Sequence, residues 1–341
     1  GITPWPTLYH WDLPTAVQDR GGWPGRSTVD EFVRYTETVV DRLGDRVDHW
    51  ITHNEPWVAT MLGHKDGYFA PGIADWRPAL RAGHHILLSH GRATASIREQ
   101  VPDATVGIAL DCRPAYPASD SPGDIEAARH FDGYRNRWFF DPVHGKGYPA
   151  DMVEAYHEAG RFESGPLDFV ADGDMEVIAT PLDFVGINYY TSLAATPENQ
   201  EAESTPVEPG SNPPPGYTEM GWAITPEWFT RFILRVNEDY APRAIVITEN
   251  GASFSDGPDM SGQIDDQRRI DYLDSHIAAV GEARDQGALV TGYFEWSLLD
   301  NLEWVAGYGQ RFGIVHVDFD TGTRTPKASY RWYRDRIARG W

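Results

Sequence analysis

Residues 244–251 read Ala244-Ile245-Val246-Ile247-Thr248-Glu249-Asn250-Gly251. An unbroken apolar run rich in β-branched residues suits a strand covered on both faces better than the alternating strand of a half-solvated sheet. The run ends in a carboxylate, an amide and a glycine, the residue types of a strand's exit into a loop. Strands are predicted over 244–248 and, on similar grounds, over 5–10, 47–52, 105–111, 183–190 and 289–296. Between them, stretches 28–43, 77–99, 124–140, 226–240 and 265–286 carry amphipathic helical spacing. The first has Ser27 or Thr28 as its expected N-cap, with Glu31 shortly after. Towards the end, 313–320 and 323–327 predict a hairpin turning at Asp320-Thr321-Gly322, followed by a helix over 329–338.

Strand–helix repeats predict an α/β fold with a parallel sheet, either open or closed into a barrel. Six units can be counted, where a closed (β/α)8 barrel has eight. No GxGxxG fingerprint follows any strand, which argues against a dinucleotide fold. Segment 192–225 is Pro-rich and low in apolar residues, and reads as a long loop inside one domain because strand–helix units continue on both sides.

Composition narrows the function. Fifty-one Asp and Glu against 29 Lys and Arg give a net charge of −22. Such a surface repels phosphate backbones and anionic lipid, so neither nucleic acid nor membrane is an expected partner. The lone Cys112 allows no intrachain disulfide and no thiolate metal cage. No apolar run is long enough to span a bilayer and no leader pattern is present, so a cytoplasmic location is expected, with secretion left open. Trp occurs 13 times among 341 residues. Flat aromatic faces suit sugar rings, and large barrels also pack aromatics in their cores.

Two carboxylates stand out by position. Glu55 closes the stretch Trp50-Ile51-Thr52-His53-Asn54-Glu55-Pro56, and Glu249 closes Ile247-Thr248-Glu249. Each adjoins an Asn and is followed by a Pro or Gly that ends the strand. Active sites of parallel barrels lie at the carboxyl ends of strands, and a pair of carboxylates there is the apparatus of glycoside hydrolysis.

Five segments carry a resemblance. Tyr9-His10-Trp11-Asp12-Leu13-Pro14, Thr52-His53-Asn54-Glu55-Pro56, Gly186-Ile187-Asn188-Tyr189-Tyr190, Ile247-Thr248-Glu249-Asn250-Gly251 and Trp296-Ser297-Leu298-Leu299-Asp300-Asn301-Leu302-Glu303-Trp304 occur in that order. Together they resemble the signature segments of glycoside hydrolase family 1, the β-glucosidase family, along the whole chain. The resemblance implies a TIM-type (β/α)8 barrel that is incomplete, with about six of eight strand–helix units and the first two missing, forming a single domain over 1–341. It also implies that a Gln contacting the sugar and an Arg pairing with the nucleophile lie in those units. Open strand edges would then favour a homo-oligomer.

By the same resemblance Glu55 is the acid/base and Glu249 the nucleophile of a retaining double displacement. A carboxylate pair about 5 Å apart splits its pKa values, keeping the acid protonated until the nucleophile is neutralised. Asn54 is implied to meet the sugar 2-hydroxyl. Asn188 belongs to the same substrate-binding set. Tyr190 is implied to hold Glu249, His10 and Trp11 to bind the glycone, and Trp296 to form the floor under the ring. Glu303 and Trp304 are implied to grip the outer hydroxyls. Relatives acting on 6-phospho-sugars replace this carboxylate, so Glu303 points to a neutral glycone. Trp57 and Trp222 are either aglycone contacts or loop aromatics covering the rim.

His53, where the family more often has Leu, is expected to pack, since alternation turns it from its neighbour's face. His84, His85 and His90 lack an acidic partner at ligand spacing, and no metal or other cofactor is expected. The implied activity is a β-glucosidase acting on neutral β-glycosides or cello-oligosaccharides. The alternative is a truncated homologue that binds sugars or assembles with little catalysis.

Overall fold

The computed structural model describes residues 1–201 and 213–340; residues 202–212 of the Pro-rich segment fall outside the described residues. Six strands follow the apolar runs: β1 (Thr7–Tyr9), β2 (His49–Asn54), β3 (Thr105–Cys112), β4 (Phe184–Tyr189), β5 (Ile245–Asn250) and β6 (Val290–Glu295). The fold is α/β with parallel strands, as the strand–helix repeat predicts. The chain divides into two compact units. The first holds residues 1–112, 129–187 and 242–245, and the second holds 113–128, 188–241 and the chain from 246 on.

In the first unit β1, β2 and β3 pair in parallel, with Tyr9 opposite His53 and Trp50 opposite Val106. A register shift between Ile51 and Asn54 re-aims the last residues of β2. Side chains on both faces of β2 are buried, which explains why its sequence does not alternate. Helices Ser27–Leu43 and Trp76–Gln100 lie over the sheet. They bury Phe32, Val40, Ile86 and Ile97 against Leu8, Tyr9, Trp50 and Val106. The longer helix starts where Asp75 accepts a hydrogen bond from Arg77 N–H at 2.9 Å.

The expected cap on the shorter helix is not made. Ser27 is already helical, the cap position is Arg26 in a helical conformation, and the Thr28 hydroxyl donates back to Gly22 O. The chain enters this helix from a preceding tight turn, so the hydroxyl is used up closing that turn. The single helix expected over 124–140 is likewise broken into Pro122–Asp132, a π-helical turn Gly133–Arg137 and Trp138–Val143. A side chain at Gly133 would collide with Met152, so the helix presses closest to its neighbour at the point where it changes pitch.

In the second unit β5 and β6 are neighbours. Helix Pro226–Tyr240 has the bounds expected, and helix Gln267–Asp285 lies within the expected stretch. The hairpin forms with shorter arms, Val315–Val317 and Arg324–Pro326. A parallel pair, Ala115–Pro117 with Leu193–Ala195, has too few residues to show as a pattern in sequence. Arg269 is fully buried and donates to the carbonyls of Ala252, Phe254, Arg311 and Phe312 while paired with Asp266. One guanidinium thus ties the segment after β5 to the segment before the hairpin. Lys327, also buried, pairs with Asp300 at 3.1 Å.

Candidate active site

Both expected carboxylates sit where the strands end. Glu55 follows the last residue of β2, and Glu249 is the penultimate residue of β5. They are 5% and 8% exposed, far below what a solvated loop carboxylate would show.

In the first unit the end of β1 and the end of β2 bring His10, Trp11 and Asn54 together. Trp11 Nε1 donates to Asn54 O at 2.9 Å, and the Asn54 amide lies 3.3 Å from His10 Nε2. Burial pulls the His10 imidazole down to about 4, so the ring is neutral at ordinary pH and its Nε2 accepts from that amide. Glu55 N–H donates to Ala109 O at 2.8 Å, pinning the residue to β3. Trp11 and Glu55 both have positive φ, 76° and 47°. Side-chain-bearing residues rarely adopt that conformation, and such strain concentrates at functional positions.

Trp57 is 1% exposed. The Arg135 guanidinium covers its ring at 3.5 Å and Tyr134 meets it edge-on at 5.4 Å. Arg135 is paired with Asp111 at the end of β3. His53 stacks on Phe32 at 4.4 Å, bonds Ser89 at 2.8 Å and is driven well below its usual pKa by burial, a packing residue as alternation implies. The neighbouring histidines are likewise held inside the unit. His84 bonds Asp174 and Tyr148, His85 bonds Trp23 O, and His90 bonds Thr52. Cys112 is buried.

In the second unit the ends of β4, β5 and β6 converge on Glu249. The Tyr190 phenol donates to Glu249 Oε2 at 2.7 Å. Thr248 Oγ1 donates to Asn188 Oδ1 at 2.5 Å, which turns the Asn188 NH2 to the other side. Trp222 lies against Tyr190 with centroids 5.2 Å apart and near Phe312 at 6.2 Å. Trp296 N–H donates to Asn250 O at 3.0 Å. Gly251 cannot carry a side chain, because a Cβ there would run into Trp296 O. Glu303 and Trp304 form a tight turn in which Glu303 N–H donates to Gly307 O at 2.7 Å and Trp304 has φ 47°. Burial pushes the Glu303 carboxyl up to about 7.

Behind Glu249, Asn250 of the same motif meets two residues outside every motif, Tyr272 and Tyr293. Asn250 Nδ2 donates to Tyr189 O at 2.6 Å and to the Tyr272 hydroxyl at 3.1 Å. Tyr293 donates to Asn250 Oδ1 at 2.7 Å. Among the described residues no group of His, Cys, Asp and Glu could hold a metal ion. None of the described helices is long and apolar enough to cross a membrane.

Comparison with known proteins places this arrangement in a class. The model of glycosyl hydrolase family 1 matches residues 1–340. Beta-glucosidase A of Acetivibrio thermocellus is 42% identical over 341 residues, covering 99% of this chain and 74% of that protein. Among solved structures, the AHE enzyme of Alicyclobacillus herbarius superposes with a TM-score of 0.92 at 42% identity, covering 100% of this chain and 75% of the other. The beta-glucosidase of Thermotoga maritima in complex with glucoimidazole gives a TM-score of 0.91 at 40% identity, covering 99% and 74%. The protein is a glycoside hydrolase. It belongs to glycosyl hydrolase family 1, and the chain spans about three quarters of the length of these relatives.

Proposed function

We propose that this chain hydrolyses neutral β-glycosides, β-glucosides foremost, with retention of configuration at the anomeric carbon. In this reading Glu249 is the nucleophile and Glu55 the general acid/base. The observation that carries it is the hydrogen bond from Tyr190 to Glu249 Oε2 at 2.7 Å. A phenol donating to the carboxylate stabilises its ionised form, the state a nucleophile needs, and fixes its orientation. Relatives of this chain are named beta-glucosidases, which supports a β-glucoside as substrate.

The steps follow from the two roles. Glu55 protonates the departing oxygen while ionised Glu249 attacks, giving a glycosyl-enzyme. Glu249 then bears no charge, the Glu55 pKa falls, and Glu55 takes the proton from the incoming water. His10, Trp11, Asn54, Trp57, Asn188, Trp222, Trp296, Glu303 and Trp304 are assigned to the sugar and its aglycone. We read the six parallel strands as members of a (β/α)8 barrel, the architecture in which strand-end carboxylates do chemistry. Hydrolysis of p-nitrophenyl β-glucoside by the wild type and by Glu249→Gly tests the reading. A wild-type rate far above that of the variant is expected, and equal background rates contradict it.

Glu303 adds a pH dependence. An ionised carboxylate accepts more and stronger hydrogen bonds from sugar hydroxyls than the protonated acid does, and burial pushes the Glu303 carboxyl up to about 7, so it takes up a proton below that pH. KM for a neutral glucoside is therefore expected to rise as pH falls through 7. Glu303→Gln should flatten that rise at a higher constant KM. A KM that ignores pH in the wild type would contradict the role of Glu303.

A further inference from the structure

We infer that Asn250, Tyr272 and Tyr293 form a positioning relay that sets the Tyr190 phenol on Glu249. The inference rests on the reading of Glu249 as nucleophile for its functional meaning, but not for its geometry. Strand β4 ends at Tyr189, so the carbonyls of Tyr189 and Tyr190 leave the sheet there and need donors. Both find one in the relay: Asn250 Nδ2 donates to Tyr189 O at 2.6 Å and the Tyr272 hydroxyl donates to Tyr190 O at 3.2 Å. Asn250 Nδ2 also donates to that hydroxyl at 3.1 Å, orienting its proton towards Tyr190 O.

The order of the bonds is fixed from outside. An amide has one acceptor end and one donor end, and Tyr293 occupies the acceptor end by donating to Asn250 Oδ1 at 2.7 Å. The Asn250 NH2 must then face β4. Asn250 is fully buried and Tyr272 is 1% exposed, so no water competes for these bonds. The Tyr272 ring is clamped on His276 at 3.9 Å. Asn250 and Tyr272 hold the carbonyls of residues 189 and 190, Tyr293 orients Asn250, and the Tyr190 phenol donates to the Glu249 carboxylate, so the relay bears on that carboxylate through Tyr190.

Among the described residues the titratable groups around the relay are Tyr189 and His276 beside Tyr272, and Glu295 and Tyr333 beside Tyr293. Burial holds the Tyr272 and Tyr293 phenols well above their usual range, His276 down to about 4 and the Glu295 carboxyl well above its usual range. Removing the Tyr272 hydroxyl changes the charge of none of them.

The test is the titration of the Glu249 carboxyl carbon by 13C NMR in the whole chain, assigned with Glu249→Gln, in wild type and in Tyr272→Phe. Tyr272→Phe keeps the ring and its packing on His276. A phenol donating to a carboxylate lowers its pKa, so a misplaced Tyr190 should raise it, by roughly half a unit for Tyr272→Phe and about one unit for Tyr190→Phe. Tyr293→Phe, which frees the amide to turn over, should act in the same direction. In the Tyr190→Phe background Tyr272→Phe should move the titration much less than in the wild type, because the phenol through which the relay reaches the carboxylate is gone. A Glu249 titration unmoved by Tyr272→Phe, or moved equally with and without Tyr190, would overturn the relay. The kinetic loss in Glu249→Gly tests the nucleophile separately, so failure of one reading is distinguishable from failure of the other.

Discussion

Glu249→Gly is expected to lower kcat/KM for an aryl β-glucoside by about 10⁴- to 10⁶-fold, the scale on which removing a covalent nucleophile costs an enzyme. The covalent path disappears with the carboxylate, and what persists is binding and polarisation of the sugar. Stability should change far less. Glu249 is buried and takes the Tyr190 hydrogen bond, so its removal leaves one phenol without its acceptor, at about 1–3 kcal/mol. A fall in activity of this size with a modest fall in Tm separates chemistry from unfolding. A variant within tenfold of the wild type would remove Glu249 from the mechanism.

The second large effect belongs to Glu55, and its signature is selectivity. Glu55→Gln removes the proton donor, so substrates whose leaving group needs a proton should suffer most. An alkyl β-glucoside is expected to lose about 10²- to 10⁴-fold in kcat/KM, the usual contribution of general acid catalysis. A dinitrophenyl glucoside, whose leaving group departs as a stable anion, should keep most of its kcat/KM. Its kcat should nevertheless fall, because an amide in place of the Glu55 carboxylate cannot deprotonate water and the glycosyl-enzyme accumulates. Steady-state kinetics over a series of leaving groups reads both effects. A uniform loss across the series would assign Glu55 to binding or structure instead.

The parts of the fold written in runs of like residues were legible in the sequence. Strands β2 to β5 announce themselves because both faces are buried, and helix Pro226–Tyr240 because Pro226 and its apolar stripe mark its start and its inner face. Local rules failed where a neighbour decided the outcome. Ser27 has the side chain of a cap, yet the turn at Gly22 draws the chain in already helical. The stretch 124–140 keeps its helical period, yet at Gly133, beside Met152, the helix changes pitch in a way that no period reveals.

The site divides along the same line. Glu55, Glu249, Asn54 and Tyr190 were readable because each lies in a short contiguous motif at a strand end. The relay was not, since Tyr272 and Tyr293 stand 22 and 43 residues beyond Asn250 and meet it only through the fold. Gly251 reads in sequence as a strand terminator. Its tighter constraint, the Trp296 carbonyl standing where a Cβ would be, comes from a distant chain segment. The contact of Arg135 with the Trp57 ring likewise joins residues far apart in sequence.

The central claim is a double displacement on a β-glucoside, and the configuration of the first sugar released tests it most directly. Proton NMR of an aryl β-glucoside digest, followed faster than glucose mutarotates, distinguishes the anomers. Two inversions at one carbon predict that β-glucose appears first and the α-anomer only later, as mutarotation proceeds. Release of α-glucose as the first product would contradict the account.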